Sequence, residues 1–258
     1  MKPGLTFRPG NSILHRLHPL VKFAWLVGLT GLVFLVQGPV INLAAAASLA
    51  VIFPLLGISF SSLRGFRLLV STAVLIGLLQ VIFSGGGSQL LAVGPVRVTD
   101  QGLTRGVYLA SRFLTVVLAS YLFVITTDPG ELAYALMRAG LPYRYGFTLV
   151  TALRLVPVFE GEALTVYRAQ LARGVAYDRS SLLEMVKSLR GLLLPMLVSA
   201  MSKVDAMAVS MEGRCFGRYP DRTYFRVRRA GQRDWLALTA LVGLVLAGMY
   251  LKFQEVGF

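Results

Sequence analysis

Side chains that commonly carry catalysis or bind metals are few in this 258-residue sequence. Cys215 is its one cysteine, and its two histidines, His15 and His18, lie near the N-terminus. A single cysteine permits no intrachain disulfide, and a structural zinc site would lack ligands. Glu160 and Glu162 are two positions apart, a spacing at which helical side chains do not face each other. We therefore predict no catalytic residue, no metal site and no cofactor held by this chain.

A phosphate-binding loop is not indicated either. Residues 84–88 are rich in glycine, but no lysine followed by serine or threonine comes after them. The P-loop of ATP-hydrolysing proteins needs that lysine to reach the phosphates. ATP hydrolysis is therefore not expected of this chain alone.

The stronger candidates for function are two short motifs that each contain an arginine. They are Ala172-Arg173-Gly174 and Gly213-Arg214-Cys215. Each follows an amphipathic segment, so the arginine would complement the negative end of a helix dipole where a nearby glycine stops the helix. Ordinary capping accounts for this pattern. A projecting guanidinium is also a planar, permanently charged donor that anchors well in a partner's groove, and spacing alone leaves both interpretations open.

The composition of the whole chain indicates that these motifs belong to a membrane protein. Hydrophobic residues make up 55% of the sequence, charged residues make up 15%, and the mean hydropathy is +0.68. A soluble domain usually carries about 25% charged residues, so lipid is expected to cover much of this surface. The net charge of +14 fits either nucleic-acid binding or the positive-inside bias of membrane proteins.

Five segments are apolar over about the 20 residues that a transmembrane helix needs. They are residues 20–36, 40–57, 68–83, 107–125 and 235–252. The loop at residues 93–104 is predicted to be strand-like or irregular. The first segment is too long for a signal peptide and leads directly into the second, so we expect it to be retained. The predicted fold class is all-α: a polytopic membrane protein with about five transmembrane helices.

One basic residue, Arg112, falls inside the fourth apolar segment. An arginine at the bilayer centre costs roughly 2.5–3.5 kcal/mol on insertion scales. Near a helix end, its side chain can extend to the membrane interface. Snorkelling or helix pairing is the simpler interpretation, and a charge on a transport path is the alternative.

Residues 128–233 differ from the apolar segments around them. They hold 16 of the 26 basic and 9 of the 12 acidic residues, yet they remain rich in leucine, valine and methionine. Apolar side chains recur at helical steps of three and four over residues 181–211, and residues 145–173 are similar. We therefore predict an insert of long amphipathic helices between two membrane parts. The predicted domains are 1–127, with about four transmembrane helices, 128–233, the insert, and 234–258, a last transmembrane helix.

The distribution of basic residues predicts the orientation of the chain. Basic residues occur before the first apolar segment, between the second and third, and throughout residues 128–233. Five alternating spans put these three regions on one side, which is the cytoplasm by the positive-inside rule. This explains the charge surplus without nucleic acid, and it predicts a multi-pass protein of the cell membrane whose insert is cytoplasmic.

Four motifs, taken in chain order, resemble those of a known family. They are residues 9–22 (PGNSILHRLHPLVK), 126–132 (TTDPGEL), 153–157 (LRLVP) and Ala172-Arg173-Gly174. Together they are similar to the transmembrane T component of energy-coupling factor (ECF) transporters, the family that includes the cobalt-transport component CbiQ. The resemblance covers nearly the whole chain.

The resemblance implies that the chain couples other subunits and is not itself an enzyme. T components carry long cytoplasmic coupling helices that dock on a pair of ATP-binding-cassette (ABC) ATPases. A separate membrane-embedded S component captures a vitamin or a transition-metal ion. ATP and magnesium would be bound by the partner ATPases, and the expected function is uptake across the cell membrane of a prokaryote.

The resemblance also assigns roles to individual residues. The docking ends of the coupling helices correspond to Ala172, Arg173, Gly174, Gly213, Arg214 and Cys215, with one arginine for each ATPase subunit. The second motif lacks the final glycine, so we expect Gly217 to stop its helix. The apolar face of the second long helix would pack against the S component, and methionines suit such an adaptable surface. These methionines are Met196, Met201, Met207 and Met211.

A membrane-embedded enzyme and a self-sufficient secondary transporter are the alternatives. An intramembrane active site needs acidic or histidine residues clustered at membrane depth, and the apolar segments contain no such cluster. A secondary transporter usually shows inverted repeats and broken midplane helices, and the first four segments do not clearly resemble one another. Which vitamin or metal is carried stays open, because the S component would select it.

Overall fold

The computed structural model describes residues 12, 14–36, 38–55, 65–84, 86, 88–93, 96–175, 182–219 and 231–256. Within them the helices are α1 (Pro19–Leu35), α2 (Pro39–Leu55), α3 (Phe66–Phe83), α4 (Asp100–Thr126), α5 (Pro129–Arg138), α6 (Tyr143–Ala172), α7 (Leu182–Gly213) and α8 (Gln232–Val256). An antiparallel hairpin of β1 (Gln89–Val93) and β2 (Val96–Thr99) connects α3 to α4. The predicted all-α class is confirmed. The hairpin occupies part of the loop expected to be strand-like, whereas α4 begins seven residues before the predicted start of the fourth span.

Four described helical segments are long and apolar enough to cross a membrane. They are Phe66–Phe83, Asp100–Thr126, Leu189–Gly213 and Gln232–Tyr250. The helices α1 and α2 are apolar but shorter, at 17 residues each. A polytopic membrane protein is therefore confirmed. Leu189–Gly213 belongs to α7, which was predicted to be cytoplasmic; length and composition do not decide whether lipid or protein covers such a helix, so its cytoplasmic location stays a prediction.

The packing divides the chain into two compact units. Unit 1 comprises Met1–Leu132 and Arg228–Phe258, and unit 2 comprises Ala133–Val227. The first division falls inside α5, a few residues after the predicted boundary at 127/128. The last helix, α8, packs in the same unit as α1 to α4.

Helix α4 is the centre of unit 1, where it packs against α1, α2 and α3. Its inner face contributes to a cluster of buried apolar side chains with α2: Leu49, Phe53, Leu118, Ala119 and Ile125. Lipid tails are as apolar as these side chains, so close van der Waals packing rather than exclusion of water stabilises such contacts in a membrane.

Glycines let two pairs of helices in unit 1 approach closely. A Cβ placed on Gly106 of α4 would lie 2.8 Å from the backbone oxygen of Gly77 in α3. A Cβ on Gly28 of α1 would lie 2.9 Å from the Leu241 side chain of α8. Small residues at helix contacts are typical of membrane bundles, because they bring backbones together.

Polar contacts join the beginning of α1 to α8 and to the end of α4. The buried carboxylate of Asp234 accepts hydrogen bonds from the backbone N–H groups of His18 (2.7 Å) and Gly231 (2.8 Å). The buried Lys22 Nζ donates to the Thr126 carbonyl oxygen at 2.7 Å. The side chain of His18 also caps α1. A lysine at the last carbonyls of α4 complements the negative end of that helix.

Candidate functional site

The first arginine motif ends α6 in the predicted manner. Gly174 has a φ of +83°, in the left-handed region. Its N–H donates to the Leu171 carbonyl (2.9 Å), and the Val175 N–H donates to the Gln170 carbonyl (3.1 Å). This pattern resembles a Schellman cap, which satisfies the last carbonyls of a helix. Arg173 immediately precedes the stop and is exposed.

The second motif ends α7 with the same hydrogen-bond pattern. The Cys215 N–H donates to the Glu212 carbonyl (2.9 Å), and the Phe216 N–H donates to the Met211 carbonyl (3.0 Å). Cys215 therefore takes the position that glycine holds in the first motif, with a φ of +53°. Arg214 precedes it and is exposed. The two arginines thus occupy equivalent positions on equivalent helix ends.

The prediction that Gly217 stops the second helix was wrong. Gly217 is left-handed, with a φ of +89°, but it lies two residues beyond the first left-handed residue, Cys215. The left-handed conformation costs a residue with a side chain about 1–2 kcal/mol. A search for a helix-stopping glycine therefore places the end of α7 too late, at Gly217 instead of Cys215.

Hydrogen bonds at two levels show that α6 and α7 run antiparallel. Towards the end of α6, Gln170 Nε2 donates to the Gly191 carbonyl near the start of α7 (3.2 Å). Further back along α6, Glu162 Oε1 accepts hydrogen bonds from Ser199 Oγ (3.0 Å) and from Lys203 Nζ. Sequence analysis missed this polar contact, although a lysine and a serine four residues apart, beside an apolar stripe, could have indicated it.

An aromatic contact joins the other ends of the two helices. The Phe216 ring, just after α7, lies 5.3 Å from the Tyr143 ring and 4.5 Å from the Phe147 ring at the start of α6, measured between centroids. Because the helices are antiparallel, Arg173 and Arg214 lie at opposite ends of the pair. The helical rise of 1.5 Å per residue puts them about 40 Å apart.

The four methionines expected to form one surface are divided between two sides of α7. Met196, Met207 and Met211 are half-buried. Their helical spacing from Lys203 puts them on the side of α7 that meets α6. Met201 is 62% exposed and lies on the open side. Met201 is therefore accessible on the surface of α7, whereas the other three methionines are partly covered by α6.

The open side of α7 is apolar. Leu197 is 62% exposed and Val204 is 53% exposed, and both lie within a turn of Met201. None of the described residues of α7 is fully buried. A contiguous exposed apolar surface on a folded protein marks a contact with a partner or with lipid.

Three of the remaining candidates for chemistry, His15, His18 and Glu162, have structural contacts. Ser12 Oγ and His15 Nδ1 are joined by a hydrogen bond of 2.6 Å. Glu162 is held by α7, whereas Glu160 is exposed. In the part of the chain that the structure describes, no three histidine, cysteine, aspartate or glutamate side chains are grouped as a metal site.

Comparison with known proteins gives consistent likenesses over nearly the full length. Residues 10–225 match the family model described as CbiQ, cobalt transport protein. The chain is 31% identical to the energy-coupling factor transporter transmembrane protein EcfT of Streptococcus equi subsp. equi, over 94% of this chain and 93% of that protein. It is also 31% identical to the EcfT of Lacticaseibacillus paracasei, over 95% of this chain and 96% of that protein.

A third likeness is to a longer protein. The chain is 27% identical to a protein of Bifidobacterium longum named "Putative ABC transporter ATP-binding protein", over 93% of this chain but 32% of that protein. The match to the family model, the near-complete coverage of the EcfT proteins and the apolar helices agree. This chain belongs to the CbiQ/EcfT family of transmembrane transport proteins.

Proposed function

We propose that this chain is the energy-coupling transmembrane subunit of an ECF-type importer, which links a pair of cytoplasmic ATPases to a substrate-binding S component. The observation that carries the proposal is that Arg173 and Arg214 stand exposed at opposite ends of one helix pair. These two helix ends, called the arginine tips below, lie about 40 Å apart. Two equivalent tips suit two similar partner subunits better than one shared groove. Membership of the CbiQ/EcfT family supports the same function.

Each arginine would anchor one ATPase subunit. A helix stop holds its backbone, so the long side chain projects beyond the helix end with its guanidinium free to enter a groove. The Bifidobacterium relative named for ATP binding contains a segment similar to this chain within a longer polypeptide, which supports a physical link to ATPases. ATP and magnesium would then be bound by those subunits, and their movement would reach this chain through the two tips.

The open apolar side of α7 is the proposed contact for the S component. Leu197, Met201 and Val204 would lie at its centre, because they are exposed. Met196, Met207 and Met211 would support this surface from the α6 side. Methionine side chains adapt to partners of different shape. The S component would select the substrate, a vitamin or a transition-metal ion.

The proposed location is the cell membrane of a prokaryote, with residues 128–233 in the cytoplasm. Their 16 basic residues fit the side on which membrane proteins concentrate lysine and arginine. The ATPases would meet the arginine tips there.

Alanine substitution of the tip arginines tests the proposed function. We expect Arg173→Ala or Arg214→Ala to weaken retention of the ATPases roughly tenfold or more, since buried interface arginines commonly contribute about 2 kcal/mol or more. The double variant should lose both ATPase binding and uptake while keeping its S component. Co-purification from membranes and uptake of the substrate in cells are the measurements.

A matched control removes a positive charge from α6 away from both of its ends. Arg154→Ala affects an exposed arginine that lies about 28 Å before Arg173 along the helix, and this variant should behave like the unchanged protein. If the double tip variant retains the ATPases and transports normally, the proposed coupling role of these residues is wrong.

A further inference from the structure

The guanidinium of Arg112 lies halfway along α4 against an aromatic ring of α1. Its Cζ is 3.6 Å from the centroid of the Phe34 ring, and its Nη1 donates to the Tyr108 hydroxyl at 3.1 Å. Its Nε is buried and has no hydrogen-bond partner. Among the described side chains, no carboxylate forms an ion pair with Arg112. A charge in a membrane helix without a counter-ion is costly.

Helix α4 extends well beyond the level of this arginine. Phe34 is the penultimate residue of α1, so Arg112 is level with the end of α1. Residues 100–111 of α4 continue past that level for about 18 Å at 1.5 Å per residue. The turn between α1 and α2 is therefore recessed relative to the start of α4.

Helix α8 extends beyond the same level. A Cβ on Gly248 would lie 2.9 Å from the Leu32 side chain and 3.4 Å from that of Val36, so residues 249–256 pass the end of α1 by about 12 Å. One helical turn beyond Gly248, on the same side of α8, is the half-buried Lys252. Helix α1 packs against both of these longer helices, and the step above its end is called the notch below. Arg112 lies on one of the two longer helices and Lys252 on the other.

We propose that this notch binds the phosphate group of a membrane phospholipid, with Arg112 as the main ligand and Lys252 as the second. A guanidinium presents paired donors that match phosphate oxygens, and basic pockets between membrane helices recognise lipid headgroups. The apolar surroundings suit acyl chains rather than a free anion: Phe34 is 59% exposed and Met249 is 53% exposed. The phosphate supplies the counter-charge that the described carboxylates do not provide to Arg112.

Native mass spectrometry of the full chain in mild detergent tests the proposal. The probes are phosphatidylglycerol, a diacylglycerol with the same acyl chains and no phosphate, and inorganic phosphate. We expect phosphatidylglycerol to remain bound, and Arg112→Gln to weaken it roughly tenfold or more, as for loss of a charged hydrogen bond. Lys252→Gln should weaken it less. Arg233→Gln, at the exposed opposite end of α8, is the matched control and should bind like the unchanged protein.

Several outcomes would overturn the lipid site. Equal binding of diacylglycerol would show that the acyl chains alone are recognised, and displacement of the lipid by millimolar inorganic phosphate would point to a soluble anion. Unchanged lipid binding by Arg112→Gln, with loss of a co-purified membrane protein, would reassign the notch to a protein contact. Arg112→Met, which suits apolar surroundings, replaces Arg112→Gln if the glutamine variant aggregates, and its loss of binding carries the same meaning.

Discussion

At the scale of single residues, the two arginine tips are equivalent because their backbones end alike. Gly174 and Cys215 both take left-handed conformations and both are followed by an N–H that closes the last turn. Glycine adopts this conformation without a steric penalty, whereas cysteine does not. The second tip therefore carries local strain that the first does not.

The strain at the second tip predicts opposite effects for two substitutions. Cys215→Gly should stabilise the chain by about 1 kcal/mol, because it relieves the left-handed cysteine. Gly174→Ala should destabilise it by about the same amount, although no atom lies within 4 Å of the added Cβ. Thermal unfolding of the purified full-length variants, followed by circular dichroism, measures both. A Cys215→Gly protein that is less stable than the parent would contradict this account.

At the scale of elements, polar and aromatic contacts set the alignment of α6 and α7. Apart from Gly146, no described residue of the two helices is fully buried, so a continuous apolar core between them is absent in the described region. The shared carboxylate oxygen Glu162 Oε1 instead binds both Lys203 and Ser199 of α7. This contact fixes how far one helix is displaced along the other, and with it the separation of the tips.

Breaking the Glu162–Lys203 pair should loosen the helix pair without touching either arginine. We expect Lys203→Met and Glu162→Gln each to destabilise the chain by about 1 kcal/mol, since half-buried charged hydrogen bonds contribute on that scale. The exchanged pair, Glu162→Lys with Lys203→Glu, should recover part of the loss. A double-mutant cycle of unfolding midpoints gives the coupling energy, and a value indistinguishable from zero would reject the role of this pair.

At the scale of the whole molecule, the question is which side of the membrane holds the tips. The helices of unit 1 form a bundle around α4, and α7 of unit 2 is also apolar enough to cross a bilayer. Charge distribution favours the cytoplasm for residues 128–233. The single cysteine, Cys215, is exposed beside one tip, which makes the location directly measurable.

Thiol labelling at Cys215 should distinguish the two sides. A membrane-impermeant maleimide is expected to label the full chain in inside-out vesicles and not in right-side-out vesicles, because the tip would face the cytoplasm. Bound ATPases should protect the thiol. A Cys215→Ser variant controls for labelling elsewhere. Labelling confined to right-side-out vesicles would reverse the orientation and remove the proposed ATPase contact.

Much of the fold was predictable from the sequence because helices are encoded locally. Predicted α1, α3 and α8 agree with the observed helices to within a few residues, since long apolar runs and turn residues such as Pro39 define them. The early start of α4 was not predicted. Thr99 caps it by accepting a hydrogen bond from the Gly102 N–H, and the polar residues that follow Asp100 hide its first turns from a hydropathy pattern.

The candidate site was predictable at the level of its arginines but not of its geometry. Residue type and chain position identified Arg173 and Arg214. Their separation, the half-burial of Met196 beside α6 and the contact of Glu162 with Lys203 depend on how two helices align, which no local pattern encodes. Each is a relation between residues that are distant in the chain.

The sequence by itself determined that this chain is a helical membrane protein of the CbiQ/EcfT type, because apolar runs, charge distribution and short motifs are read directly from residue order. Tertiary structure alone decided that the two tips point to opposite ends of one pair, that Cys215 rather than Gly217 stops α7, and that Arg112 lies against the Phe34 ring near the end of α1. The physical reason is that antiparallel packing and the relative lengths of neighbouring helices arise from contacts between elements, whereas helix formation itself depends on interactions within a few turns.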